Sequence, residues 1–283
     1  MSTSPKLPDP LPVLLPFELR RTQYIPGPRS WTHLLLLAAA VAVLVAGTAW
    51  AQAEEPRLPP FEVILKWMPM LLSGFGFNVL ISLGAMTLGT AAGLALGLGL
   101  LSHNRALRRV AWLGTQFFRN APWLVLLFFM MFLVPYQVTL FGMTIPLPGW
   151  AKATVGFALP VMANVAEIVR GAVASVPVTQ WEAADSLAFT PRQTLWRIIL
   201  PQCIKRMTPP WMNLYALVTM ATVQASIVGV SEMLTLTGEV HSAEGGRPEL
   251  FAPLYGFALL CFFLYCYPID RYTARLERRF RIH

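Results

Sequence analysis

Few side chains in this sequence are equipped for chemistry, and most of those that are sit among apolar residues. Glu167 and Arg170 stand three apart, a spacing that lets an acid and a base pair on one helix face. Asn78, Asn164, Asn213 and Gln224 are polar positions inside long apolar runs. Such groups need partners in lipid: they line a pathway or bond neighbouring helices, and the sequence leaves both open. Enzyme chemistry at membrane depth would require converging nucleophile, acid–base or metal groups, and Glu167 with Arg170 is the only approach to one. The four histidines are scattered, and Cys203, Cys261 and Cys266 match no metal or redox spacing. No metal site and no catalytic residue are expected. The chain also has no G-x-x-x-x-G-K-[ST] run, so it is not expected to hold ATP itself.

A second set of charges lies in "QWEAADSLAFTPRQTLWRIILPQ", Gln180 to Gln202, which carries Glu182, Asp185, Arg192 and Arg197 between apolar runs. Thr179 is followed three residues on by Glu182, and Thr190 by Pro191 and Gln193. Each is a capping-box signature, with Pro191 at a first helical position. The spacing predicts two short helices over 180–188 and 191–199, bracketed by Pro177 and Pro201. Trp181, Ala184, Leu187 and Ala188 give the first an apolar face; Leu195, Ile198 and Ile199 give one to the second. These faces need cover, either from the rest of the chain or from the groove of a soluble partner.

The elements that position these residues are membrane spans. Of 283 residues 55% are hydrophobic and only 13% charged, too apolar for an ordinary soluble domain. Runs at 33–50, 70–101, 120–136, 153–175, 209–229 and 250–269 approach the ~20 residues a transmembrane helix needs. An all-α integral membrane fold of about six transmembrane helices is expected. With the N-terminus inside, and Arg119 and Arg170 at inner helix ends, the other Lys and Arg divide 16 inside to 4 outside (Arg57, Lys66, Lys152 and Arg247). That bias puts both termini and the 177–208 loop in the cytoplasm. The net charge of +8 is then positive-inside anchoring against membrane lipids, not a nucleic-acid footprint. The loop around 232–249 faces outward and is acidic. The first 30 residues do not read as a signal peptide, because the apolar run starts only near 33. Ala85, Gly89, Gly93 and Gly97 recur every four residues, a stripe for close packing against a neighbouring helix or a second subunit.

Glu182-Ala183-Ala184, three residues, Ala188, nine residues, then Ile198, Leu200 and Pro201 resembles the "EAA" loop of ABC importer membrane subunits, in which a Gly stands at the place of Ala188. Alanine resists positive φ, so a slightly different turn is expected. "AEIVRGAVASVP" (166–177), "FFRNAPWLV" (117–125), "IVGVSEM" (227–233) and "LERRF" (276–280) resemble blocks of the branch for polar amino acids and opines (histidine, glutamine, glutamate, arginine). The similarity covers about residues 70–280.

The resemblance implies a type I importer permease core of five helices plus one N-terminal helix. It divides the chain into a cytoplasmic tail (1–32), an added helix (33–50), a periplasmic linker (51–69), the transmembrane domain (70–270) with its coupling loop at 177–208, and a basic cytoplasmic tail (271–283). It implies a cytoplasmic ABC ATPase dimer that binds ATP and Mg, a periplasmic solute-binding protein, and a second permease subunit. Glu182, Ala183, Ala184, Ala188, Ile198, Leu200 and Pro201 would then touch the ATPase. Arg192, Arg197 and Lys205 would meet acidic ATPase or lipid groups, or simply anchor the loop. Glu167 and Arg170 would pair near an inner gate, with Asn78, Asn164 and Gln224 as pathway positions. Met220-Ala221 and Leu126 stand where many relatives have Lys-Asp and Gln, which points either to a less polar ligand or to a heteromeric pair whose other subunit holds the charged contact; a heterodimer is favoured over a homodimer. An opine or related amine is an alternative cargo. A secondary transporter is a distant rival, for which the internal repeat and broken helices of such folds are lacking.

Overall fold

The structure, a computed structural model, describes residues 58–140 and 143–280, together with 38–39. The expected tail 1–32 and, but for 38–39, the expected span 33–50 lie outside the described residues.

Helix α1 runs Pro60–Leu100, with proline in its first turn where a missing N–H costs nothing. Its 41 residues extend about 60 Å, roughly twice a hydrocarbon core. The expected linker 51–69 is therefore helical from Pro60 on. The reason is packing: Val63 and Leu71 are buried with Met233, Val240, Leu250 and Leu254 of two later helices, which holds the helix through Pro69. At this end Glu244 accepts from Lys66 Nζ at 2.7 Å and Trp67 Nε1 at 2.8 Å.

Helix α2 spans Arg105–Asn120, started by Asn104, whose side chain accepts from Ala106 N and Leu107 N. Helix α3, Trp123–Leu133, follows after a bend of 102°. This corrects the straight span expected at 120–136. Pro122 occupies the N-cap position of α3; it lacks an N–H and pushes Ala121 into an extended conformation. With 11 residues, α3 reaches only about 17 Å. A short antiparallel hairpin, β1 Gln137–Leu140 and β2 Met143–Pro146, pairs Thr139 with Thr144.

Helix α4, Gly149–Ala174, is the centre. Phe157, Val161, Val165 and Val169 are buried in one cluster with Ile81 and Met86 of α1, Leu127 and Met131 of α3, and Leu214 and Val218 from further along the chain. The small-residue stripe meets α4 directly. A Cβ on Gly89 would lie 2.4 Å from Val161 Cγ1, one on Gly93 2.6 Å from Val165 Cβ, and one on Gly97 2.8 Å from Val169 Cβ. The neighbour left open by the sequence is thus a helix of the same chain.

The rest is α5 (Val178–Ser186), a single turn α6 (Pro191–Gln193), a π-helical turn (Thr194–Ile199), α7 (Leu200–Ala221), a 3-10 stretch (Thr222–Val228), α8 (Met233–Ala243) and α9 (Pro248–Phe280). Three expectations change. The second loop helix is not separate: 191–228 runs as one helical rod, because the π turn admits Pro201 without a break. The acidic loop at 232–249 is largely α8. The basic tail is helical as far as Phe280. Among the described residues four helices are long and apolar enough to cross a membrane, or five if the bent α2–α3 pair is one span.

Candidate coupling loop and polar pocket

Pro177 fixes the start of α5. Held extended at φ −56° and ψ 142°, it is the N-cap and makes no side-chain cap bond. The helix therefore begins at Val178, two residues earlier than a Thr179 cap would require. Thr179 and Glu182 lie inside the helix, so the first expected capping box is absent and the exposed Glu182 carboxylate is not used by it. The second box is present: Gln193 N donates to Thr190 Oγ1 at 3.4 Å, and Thr190 N donates to Gln193 Oε1 at 2.9 Å.

Between α5 and α6, Ala188 takes φ 56°, the left-handed region. The expected resistance of alanine is overridden: Ala188 N donates to Asp185 O and Phe189 N to Ala184 O, which closes α5 as a glycine would, at a strain of about 1–2 kcal/mol.

The loop is two-sided. Its inner face is packed: Ala184, Ile199 and Cys203 are buried, the last two against Ala172, Val173 and Val176 at the end of α4. Arg206 Nη1 donates to Ser175 O at 2.6 Å, which ties the start of α7 to the same point. Ile198 and Leu200 are half-buried. The outer face stays open. Glu182, Ala183, Ala188 and Pro201 are exposed, and Leu187 is 71% and Trp196 57% exposed. Glu182, Asp185 and Arg192 also edge a cleft of about 890 Å³ towards Leu98 and His103.

The polar positions fall into separate groups. Glu167 and Arg170 pair as their spacing predicts: Arg170 Nε lies 3.1 Å from each carboxylate oxygen, and its Nη2 also donates to Oε1. Arg119, at the end of α2, approaches the same carboxylate at 3.6 Å. Arg119, Asn164, Glu167 and Asn213 line a pocket of about 340 Å³ between α2, α4 and α7. Asn164 Nδ2 donates to Pro160 O at 2.8 Å.

Asn78 is elsewhere, fully buried. Its Nδ2 donates to Glu232 Oε2 at 2.8 Å and Thr222 Oγ1 at 3.0 Å, and its Oδ1 accepts from Met233 N. Gln224 lies in the same 3-10 stretch as Thr222, and its buried Oε1 has no hydrogen-bond partner among the described residues. Three further residues join these groups. Arg119 was legible as a basic residue at an inner helix end, without its partner Glu167. Glu232 was visible as the residue before an apolar run, where it caps α8 by accepting from Thr235 N. Lys152 had no signal: assigned to an outer segment, it is buried, with Nζ 2.7 Å from Met131 O and 3.4 Å from the Tyr136 ring centroid.

Residues 89–282 match the family described as the binding-protein-dependent transport system inner membrane component. The chain belongs to this family. Among its relatives, a probable amino-acid ABC transporter permease protein of Bacillus subtilis, YckA, is 32% identical over 219 residues, spanning 77% of this chain and 92% of that one. The L-cystine transport system permease protein TcyB of the same organism is 29% identical, over 78% of this chain and 91% of that one. The glutamate transport system permease protein GluD of Corynebacterium glutamicum is 29% identical, over 81% and 82%. Among solved structures, an amino acid ABC transporter with histidines aligns at a TM-score of 0.68 and 25% identity, covering 81% of this chain and all of that one. An inward-facing methionine ABC transporter, MetNI, aligns at 0.61 with 19% identity, over 76% and 97%, and speaks for the fold alone. This permease-family chain is thus an integral inner membrane protein built as a type I importer subunit.

Proposed function

We propose that this inner membrane component moves amino acids inward for an ATP-driven importer and receives the ATPase stroke on the loop 177–201. The observation that carries the reading is the two-sided packing of that loop. Its inner face is fastened to α4 and α7, while Glu182 and Ala183 project outward on a short helix and Leu187 and Ala188 project from the turn that ends it. A groove in a cytoplasmic ATPase can grip such a helix, and the rod 191–228 carries the displacement into the bundle. Small residues keep α5 thin. The positive-inside bias puts this loop and both termini in the cytoplasm.

ATP and Mg belong to the ATPase dimer, and a periplasmic binding protein delivers the solute. The amino-acid cargo rests on the relatives' names. A second, different permease subunit is favoured over a homodimer, since Leu126 is buried and apolar and Met220-Ala221 offers no charge.

Glu182→Lys tests the coupling. The variant should insert and purify with a normal elution profile, yet lose the ATPase activity that binding protein stimulates in the reconstituted complex. Retained stimulation and uptake would overturn the role of the loop.

A further inference from the structure

The pocket between α2, α4 and α7 lies on the side of the bundle, not at its end. Glu167 and Asn164 are two and three turns in from the last residue of α4, and Asn213 is well inside α7. Polar walls at that depth do not face lipid: such groups turn towards protein or a water-filled cavity. A volume of about 340 Å³ lies near the lower end of the roughly 300–1,000 Å³ typical of small-molecule sites.

Its charge is unbalanced. Glu167 is engaged by Arg170 through both carboxylate oxygens. Arg119 stands off at 3.6 Å and is 44% exposed, so most of its five N–H donors are free for a second anion. Arg170 binds Glu167 from outside the pocket's lining, so the cluster of two guanidinium groups and one carboxylate carries a surplus of one positive charge, with Arg119 the one in the wall. Asn164 uses Nδ2 on Pro160 O, which leaves its Oδ1 free to accept. Asn213 is exposed and makes no side-chain hydrogen bond among the described residues. Leu214 and Leu217 close the apolar side.

We propose that this pocket is a water-filled stretch of the solute path in which Arg119 takes the carboxylate of a neutral or acidic amino acid and repels cationic ones. The inference rests on the importer reading and adds a charge filter within the membrane subunit. Asn164 Oδ1 and Asn213 are placed to accept from the ammonium group of a zwitterion. Low-dielectric walls sharpen the effect, because they focus the field of a single surplus charge.

Thiol-modification rates test it without knowledge of the cargo. Asn213→Cys is built in a chain whose Cys203, Cys261 and Cys266 are replaced by Ala, and the complete importer is reconstituted. Rates with a sulfonate-bearing and a trimethylammonium-bearing methanethiosulfonate are each divided by the rate with free 2-mercaptoethanol. The anionic reagent should be favoured, and Arg119→Gln should lower that preference by about tenfold, the scale of one nearby charge in a partly screened site. Arg119→Lys should restore it. No reaction of the thiol introduced by Asn213→Cys, or a preference unchanged by Arg119→Gln, would overturn the proposal. ATP-driven uptake by the cysteine-free complex, measured alongside, tells failure of the filter apart from failure of the importer reading.

Discussion

Asn78 makes three hydrogen bonds that join α1 to the 3-10 stretch and to the start of α8. Its partner Glu232 is a fully buried carboxylate, so neither can be removed alone without stranding the other. Asn78→Leu should lower unfolding stability in detergent by about 3 kcal/mol, since it leaves a buried carboxylate oxygen and the Met233 N–H unpaired. Glu232→Gln, which can still accept from Thr235 N, should cost less. Chemical denaturation of the purified protein compares them.

Glu244 offers a pH handle outside the spans. The Lys66 ammonium first, then the Trp67 N–H, hold its carboxyl below the ordinary 4.5. A depressed pKa contributes stability above the unfolded value that disappears as pH falls through the folded one. Melting temperature should therefore drop as pH is lowered past 4.5, and Glu244→Gln should flatten that slope. The Glu167–Arg170 pair could be read from its spacing because both partners share one helix. The partner of Asn78, 154 positions away, left no local trace, and neither did the lid of Met131 and Tyr136 over Lys152.

At the scale of elements, the tightest joint is α1 on α4. Gly93→Ala would set a methyl group 2.7 Å from the Met162 carbonyl oxygen, a backbone atom that cannot step aside. Overpacking of that kind costs about 1–3 kcal/mol. Gly76→Ala, on the same helix, meets nothing within 4 Å and should be tolerated. Thermal stability and monodispersity of the two variants in detergent should separate, and equal behaviour would mean that α1 can slide. The four-residue repeat announced close packing without saying against what, because periodicity marks a face and not its partner. The break before α3 was hidden for a related reason: Trp123 onward is as apolar as any span, and hydropathy does not register the turn that Pro122 imposes. Pro201 misled the other way, since a helix that widens into a π turn accommodates a ring that would interrupt a regular one.

For the molecule as a whole, hydropathy marked the membrane spans, the resemblance of the loop and its flanking blocks to ABC importer subunits marked the family, and the structure adds how the pieces bear on one another. Four packed clusters among the described residues divide the work. One joins α1, α3, α4 and α7, one ties the start of α1 to α8 and α9, a third seats the loop on α4, and the smallest holds the end of α1 to α2 and α4. The rod 191–228 passes from that loop to the wall of the polar pocket. Its π turn, Thr194–Ile199, holds about one residue more than a regular turn would. Each α-helical residue advances the chain by about 100°, so this one surplus residue sets the angular phase between the exposed outer face of the loop and the face of α7 that lines the polar pocket. Were the turn to tighten into regular helix, the loop would swing round by nearly a third of a revolution with no change in the length of the chain. A short stretch beside Pro201 thus fixes the rotational register between the loop and the helix that follows it.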